Sequence, residues 1–122
     1  MAGRTGNKFA KQKYEERILN ELNSALRREF SDSRLQHVSL TRVELTQDYS
    51  QAKIYWDTFD ASTRGDAKSA IDSVKSRMRT LLASKMEVRH TPELNFYYDS
   101  QFEDERKIDD LLKNSSNDDS DN

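Results

Sequence analysis

A chain of 122 residues, 34% hydrophobic and 34% charged, has material for one thin core, which excludes a large barrel or a complete doubly wound dinucleotide fold. It contains no Cys, which excludes a disulfide framework, a thiol nucleophile and a cysteine-ligated metal site. The net charge of -2 hides a segregation: residues 1–34 carry net +3, residues 64–91 net +4, and the last 22 residues net -5. There is no run of 18 apolar residues, and the first residues lack an apolar signal core. The expectation is a soluble cytoplasmic protein with no membrane association.

Residues 1–7 hold two of the three glycines and no apolar period, and read as a flexible arm. From residue 8 the pattern turns helical. Tyr14, Ile18, Leu22, Ala25, Leu26 and Phe30 recur at three and four residues, which predicts a helix over 8–30 with one apolar face. Ser31-Asp32-Ser33 ends it as a turn. Val38-Ser39-Leu40 and Val43-Glu44-Leu45 both alternate as strands but are out of phase. A bulge or a strong twist at Thr41-Arg42 reconciles them. Gln47 to Ser50 connects to a second strand, with Ala52, Ile54 and Trp56 on one side and Lys53, Tyr55 and Asp57 on the other.

After the loop Asp60 to Gly65, a helix over 66–84 is predicted by Ala67, Ala70, Ile71, Val74, Met78, Leu81 and Leu82, capped by Asp66 or Thr63. Pro92 precedes a third strand, about 93–98, in which Leu94, Phe96 and Tyr98 alternate with Glu93, Asn95 and Tyr97. A short amphipathic piece with Ile108, Leu111 and Leu112 follows. Residues 113–122, with no apolar side chain, read as a disordered acidic tail. The order helix-strand-strand-helix-strand suits an α+β domain over 8–112, its two helices on one face of a three-stranded sheet. Ile18, Leu22, Ile54, Trp56, Ile71, Val74, Met78 and Phe96 should then be buried together.

Catalytic constellations are missing from this order. His37 and His90 are isolated, no metalloprotease, hydrolase or phosphate-loop motif is present, and Gly65 is the only glycine after residue 6. The expectation is a non-enzymatic protein without cofactor or metal. Charge alone leaves two readings open, a surface for RNA and ordinary solvated helix faces.

Three blocks carry a resemblance. The first is Leu26-Arg27-Arg28-Glu29-Phe30 with Asp32-Ser33-Arg34-Leu35. The second is Val43 to Tyr55, a strand, a Thr46-Gln47-Asp48 turn and Ala52-Lys53-Ile54-Tyr55. The third is Pro92-Glu93-Leu94-Asn95-Phe96-Tyr97-Tyr98-Asp99-Ser100. In this order and spacing, from about Tyr14 to Leu112, they resemble the bacterial ribosome-binding factor A family. Ser33 stands where that family usually has Pro. Val74-Lys75-Ser76 stands where it usually has an Ala-x-Gly kink between two helical pieces, and serine permits less backbone freedom than glycine. The resemblance implies a two-layer type II KH-like domain acting as a monomeric, non-catalytic ribosome assembly factor. It implies binding to the free small ribosomal subunit and its 16S rRNA in late maturation and 5′-end processing. Contacts with small-subunit ribosomal proteins stay open.

Phosphate contacts need Lys or Arg with little geometry. The RNA-binding candidates are Arg4, Lys8, Lys11, Lys13, Arg27, Arg28, Arg34, Lys68, Lys75, Arg77, Arg79, Lys85 and Arg89. Tyr49, Tyr55 and Tyr97 read as partly buried sheet residues before they read as stacking platforms. The alternative is a protein-binding accessory module with no direct RNA contact, whose mark would be exposure of Ile108, Leu111 and Leu112.

Overall fold

The computed structural model describes residues 2–86, 90–99, 108–109 and 111–112, with the backbone course alone for 2–8. Its elements are α1 (Ala2–Arg28), β1 (Val38–Leu45), β2 (Gln51–Thr58), α2 (Arg64–Met86) and β3 (Glu93–Tyr98), with 3₁₀ turns at Ser33–Leu35 and Ala61–Thr63. The expected acidic tail, 113–122, lies outside the described residues.

β1 and β2 form an antiparallel hairpin, and the α2 crossover returns the chain to place β3 parallel to β2. The sheet order is β1-β2-β3. Inward alternation of each strand meets the apolar stripes of both helices in one core. Ile18, Leu22, Ile54, Ile71, Met78 and Leu94 are all at most 1% exposed, and Trp56 joins them. Burying one such aliphatic side chain stabilises the fold by about 1.5–3 kcal/mol. Phe96 is half-buried against this cluster.

The two phases of β1 are joined by a bulge. The register steps from Leu40 opposite Trp56 to Arg42 opposite Tyr55, so Thr41 is the extra residue. Val38, Leu40, Val43 and Leu45 thereby all face the core. The Thr41 hydroxyl donates to Asp99 Oδ2 at 2.7 Å, tying the bulge to the residue just after β3.

A polar seam runs between α1 and the outer edge of β1. Asn23 Nδ2 donates to Leu40 O at 3.0 Å, and Asn23 Oδ1 accepts from Leu40 N at 2.9 Å. Glu15 Oε2 accepts from Leu45 N at 2.8 Å, and Arg27 donates to Val38 O. The helix therefore satisfies backbone groups that would otherwise leave an edge open to another strand.

The connection between β1 and β2 has no glycine. Tyr49 takes the positive φ, 63°, that glycine would accept more readily. Asp48 holds the turn by accepting from Thr46 Oγ1 (2.8 Å), Ser50 Oγ (2.7 Å) and Ser50 N (3.1 Å). The Tyr49 ring also packs edge-on against Tyr14, 5.6 Å between centroids.

Several expectations shift. α1 starts at Ala2 and includes residues 2–7, which read as an arm. No proline interrupts them, and extending a formed helix costs far less than nucleating one. α2 runs from Arg64, not residue 66, directly out of the 3₁₀ turn Ala61–Thr63, whose own cap is Asp60, accepting from Ser62 N at 3.0 Å. α2 is continuous through Ser76 to Met86, without the family's break between two helical pieces.

The type II KH-like topology is corrected. The sheet is open and mixed, with β1 and β3 as its edges and no closure or curling of one edge onto the other. Three short strands covered on one face by two unbroken helices form a plain two-layer α+β domain.

Candidate nucleic-acid interface

α1 and α2 lie side by side and run in opposite directions. Arg17 Nη2 donates to Lys85 O at 3.2 Å near the end of α2. Earlier in α2, the Arg77 guanidinium sits 4.8 Å from the ring centroid of Phe30, beyond the end of α1. Between these points the helices leave a groove of about 300 Å³ whose polar lining includes Asn20, Glu21, Ser24, Arg28, Glu29 and Lys85.

This arrangement brings Arg28 and Lys85 together on the groove, with Arg77 at its Phe30 end, all three exposed. It adds Arg17, which is absent from the sequence-derived set. Its signal was present: Lys13, Arg17 and Arg28 recur at four and eleven residues, the spacing of one helix face. Arg28 and Lys85 also sit in the last turns of their helices, where a cation is favoured by the helix dipole.

The remaining candidates are dispersed. Lys68, Lys75 and Arg79, seven and four residues apart, follow another flank of α2, where Arg79 Nη2 donates to Thr91 O at 3.0 Å. Lys75 is half-buried and Lys68 exposed. Lys11 (half-buried) and Lys13 (exposed) lie farther back along α1. Arg4 and Lys8 fall on the first turns of α1, with their side chains outside the described residues, as is Arg89.

Two candidates are occupied by the fold itself. Arg27 donates to Leu35 O at 3.2 Å and to Val38 O, closing the link between α1 and β1. Arg34 grips Asp32, with Nη2 2.7 Å from Oδ2 and Nε 3.0 Å from Oδ1. That hydrogen bonding, first from the Arg34 side chain and then from its backbone N–H, holds the Asp32 carboxyl down at about 2. Asp48 and Asp60 are likewise lowered, in each case first by a serine hydroxyl, Ser50 and Ser62. These shifts belong to turn geometry, not to acid-base chemistry.

Among the described residues no group of three His, Cys, Asp or Glu could hold a metal ion, and no helix is long and apolar enough to cross a membrane.

The ribosome-binding factor A family model matches residues 10–112. Ribosome-binding factor A of Lactobacillus acidophilus is 39% identical over 97 residues, covering 78% of this chain and 80% of that protein. The crystal structure of ribosome-binding factor A from Thermus thermophilus superposes with a TM-score of 0.64 at 24% identity, over 72% of this chain and 93% of that one. A homology model of the Thermus thermophilus factor, fitted into the cryo-EM map of a 30S–RbfA complex, gives 0.58 at 22% identity, over 70% and 90%. The two structures speak for the fold, whereas the family model and the curated relative speak for descent. The chain belongs to the ribosome-binding factor A family of bacteria, non-catalytic proteins of ribosome assembly.

Proposed function

We propose that this chain is a cytoplasmic, monomeric factor that binds the free small ribosomal subunit and contacts its 16S rRNA in late maturation, including 5′-end processing. The observation that carries the RNA contact is the placement of Arg28 and Lys85 on one groove between two antiparallel helices, with Arg17 at its Lys85 end and Arg77 at its Phe30 end. Glu21 and Glu29 line the same groove. Within the groove Arg28 and Lys85 balance Glu21 and Glu29, so separate phosphate contacts, with Arg17 and Arg77 at the groove's ends, describe the surface better than one continuous positive field.

Co-sedimentation tests the reading. The protein is expected with free small subunits and much less with assembled ribosomes, and binding should weaken as salt rises. Arg28→Gln with Lys85→Gln removes two exposed cations without touching the core. The double variant should weaken binding and flatten the salt dependence by a log–log slope of roughly 1.5–2. Salt-independent association, or none with free subunits, would falsify the RNA contact.

One observation favours a second reading, a protein-binding accessory module. Ile108, Leu111 and Leu112 are 56%, 65% and 63% exposed and recur at helical spacing. If Leu111→Ser with Leu112→Ser abolishes co-sedimentation while the Arg28/Lys85 variant binds normally, that reading replaces the first.

A further inference from the structure

The sheet face turned away from the helices carries an ordered row. Arg42 of β1 pairs in register with Tyr55 of β2, and Tyr55 with Tyr97 of β3. The Arg42 guanidinium lies 4.1 Å from the Tyr55 ring centroid, and the Tyr55 and Tyr97 rings are 5.9 Å apart, tilted by 36°. Tyr97 ends the row with 46% of its surface in solvent. The next row is Glu44, Lys53 and Asn95, also in register.

We propose that this face is a stacking site for a short unpaired RNA segment, with a base on the Tyr97 ring and phosphates near Lys53 and Arg42. The composition of the face selects the occupant. A protein partner would bury aliphatic side chains, and the neighbours of the two rings are instead Arg42, Glu44, Lys53, Asp57 and Asn95. A base needs a π-face, which is indifferent to its identity, together with nearby cations and amide groups. Around the rings Arg42 and Lys53 stand against Glu44 and Asp57, and Asp57 accepts from the Tyr98 hydroxyl at 3.2 Å. Glu44 is itself drawn to Arg42 at 3.5 Å, and Lys53 has no ion-pair partner among the described residues. Asn95 Nδ2 donates to Gln51 Oε1 across only a long 3.4 Å contact, so both amides can turn toward a base edge.

The inference extends the RNA reading to a second face and rests on it for the source of the RNA. The test uses the full chain and an oligoadenylate octamer carrying a fluorescent end label, with anisotropy for affinity and the NMR shift of the Tyr97 ring for location. Tyr97→Ala should weaken octamer binding about tenfold, in line with loss of one base–aromatic stack. Tyr97→Phe keeps the ring and should bind within about twofold of the parent. The octamer should shift the Tyr97 ring, and the same sequence as a duplex should not. The Arg28→Gln, Lys85→Gln variant should leave that ring shift in place, which separates this face from the helix groove. Parent-like binding by folded Tyr97→Ala overturns the site. So does an unmoved ring on adding octamer, an equal shift with duplex, or loss of the shift in the Arg28/Lys85 variant.

Discussion

The two faces of the sheet share every backbone hydrogen bond and differ in almost everything else. On the face under the helices stand Leu40, Val43, Leu45, Ala52, Ile54, Trp56 and Leu94, all buried. The other bears Ser39, Arg42, Glu44, Lys53, Tyr55, Asn95 and Tyr97, all exposed or half-buried. Stability therefore resides on one side and recognition chemistry on the other. The bulge at Thr41 makes the division possible, because without it one half of β1 would turn its apolar residues outward.

Truncating one residue on each face puts that division to the test. Ile54→Ala opens a cavity at a fully buried site and should cost about 3 kcal/mol in urea denaturation. Tyr97→Ala, on the next strand but facing outward, should cost less than about 1 kcal/mol. Similar losses for both would mean that the outer face is part of the stabilising structure.

The edge seam comes next. Asn23→Ala removes both hydrogen bonds to Leu40 and leaves a part-buried N–H and C=O without their partner. The expected cost is about 2 kcal/mol, with faster hydrogen exchange at the Leu40 amide. Asn23→Asp keeps the acceptor toward Leu40 N but sets a carboxylate oxygen against Leu40 O, so it should cost at least as much as Asn23→Ala near neutral pH. A smaller effect, about 1 kcal/mol, is expected for Thr41→Val, which keeps the β-branched shape of the bulge and deletes its 2.7 Å bond to Asp99. Parent-like stability would show that backbone geometry alone holds the bulge.

Much of the inner face was legible in the sequence, because period alone assigns it. Two out-of-phase runs around Thr41-Arg42 even announced the bulge. The seam was not legible. Asn23 and Glu15 look like ordinary solvent-side positions of an amphipathic helix until the strand is placed beside them. The structural partners of Arg27 were hidden for the same reason: by charge it looks like a phosphate ligand, and its carbonyl acceptors lie 8 and 11 residues ahead, across a turn. The KH-like topology came from resemblance, not from pattern, and resemblance carried no information about how the sheet edges end. The outer aromatic row was half visible. Alternation put Tyr55 and Tyr97 on one face, but the register that brings Arg42 over Tyr55 depends on the bulge.

The smallest expected effect concerns neither face but the turn at the end of α1. Asp32 lies half-buried at the surface beside an exposed Arg34, so their bond adds little, but its titration is distinctive. Its carboxyl is held at about 2 against an ordinary 3.8, because Arg34 favours the charged form in the folded chain. Folding therefore gains from this pair at any pH above about 4. The gain fades as pH falls through the interval from 3.8 to about 2 and is gone below both values. Asp48 and Asp60, also lowered, titrate at acid pH too, so the parent's acid transition by itself identifies none of them. The difference between parent and Asp32→Asn isolates the pair. The parent should melt slightly higher near pH 6, and the two melting temperatures should converge between pH 4 and pH 2. A gap that persists unchanged at pH 2 would mean that Asp32, the cap of the Ser33–Leu35 turn, does not act through its charge.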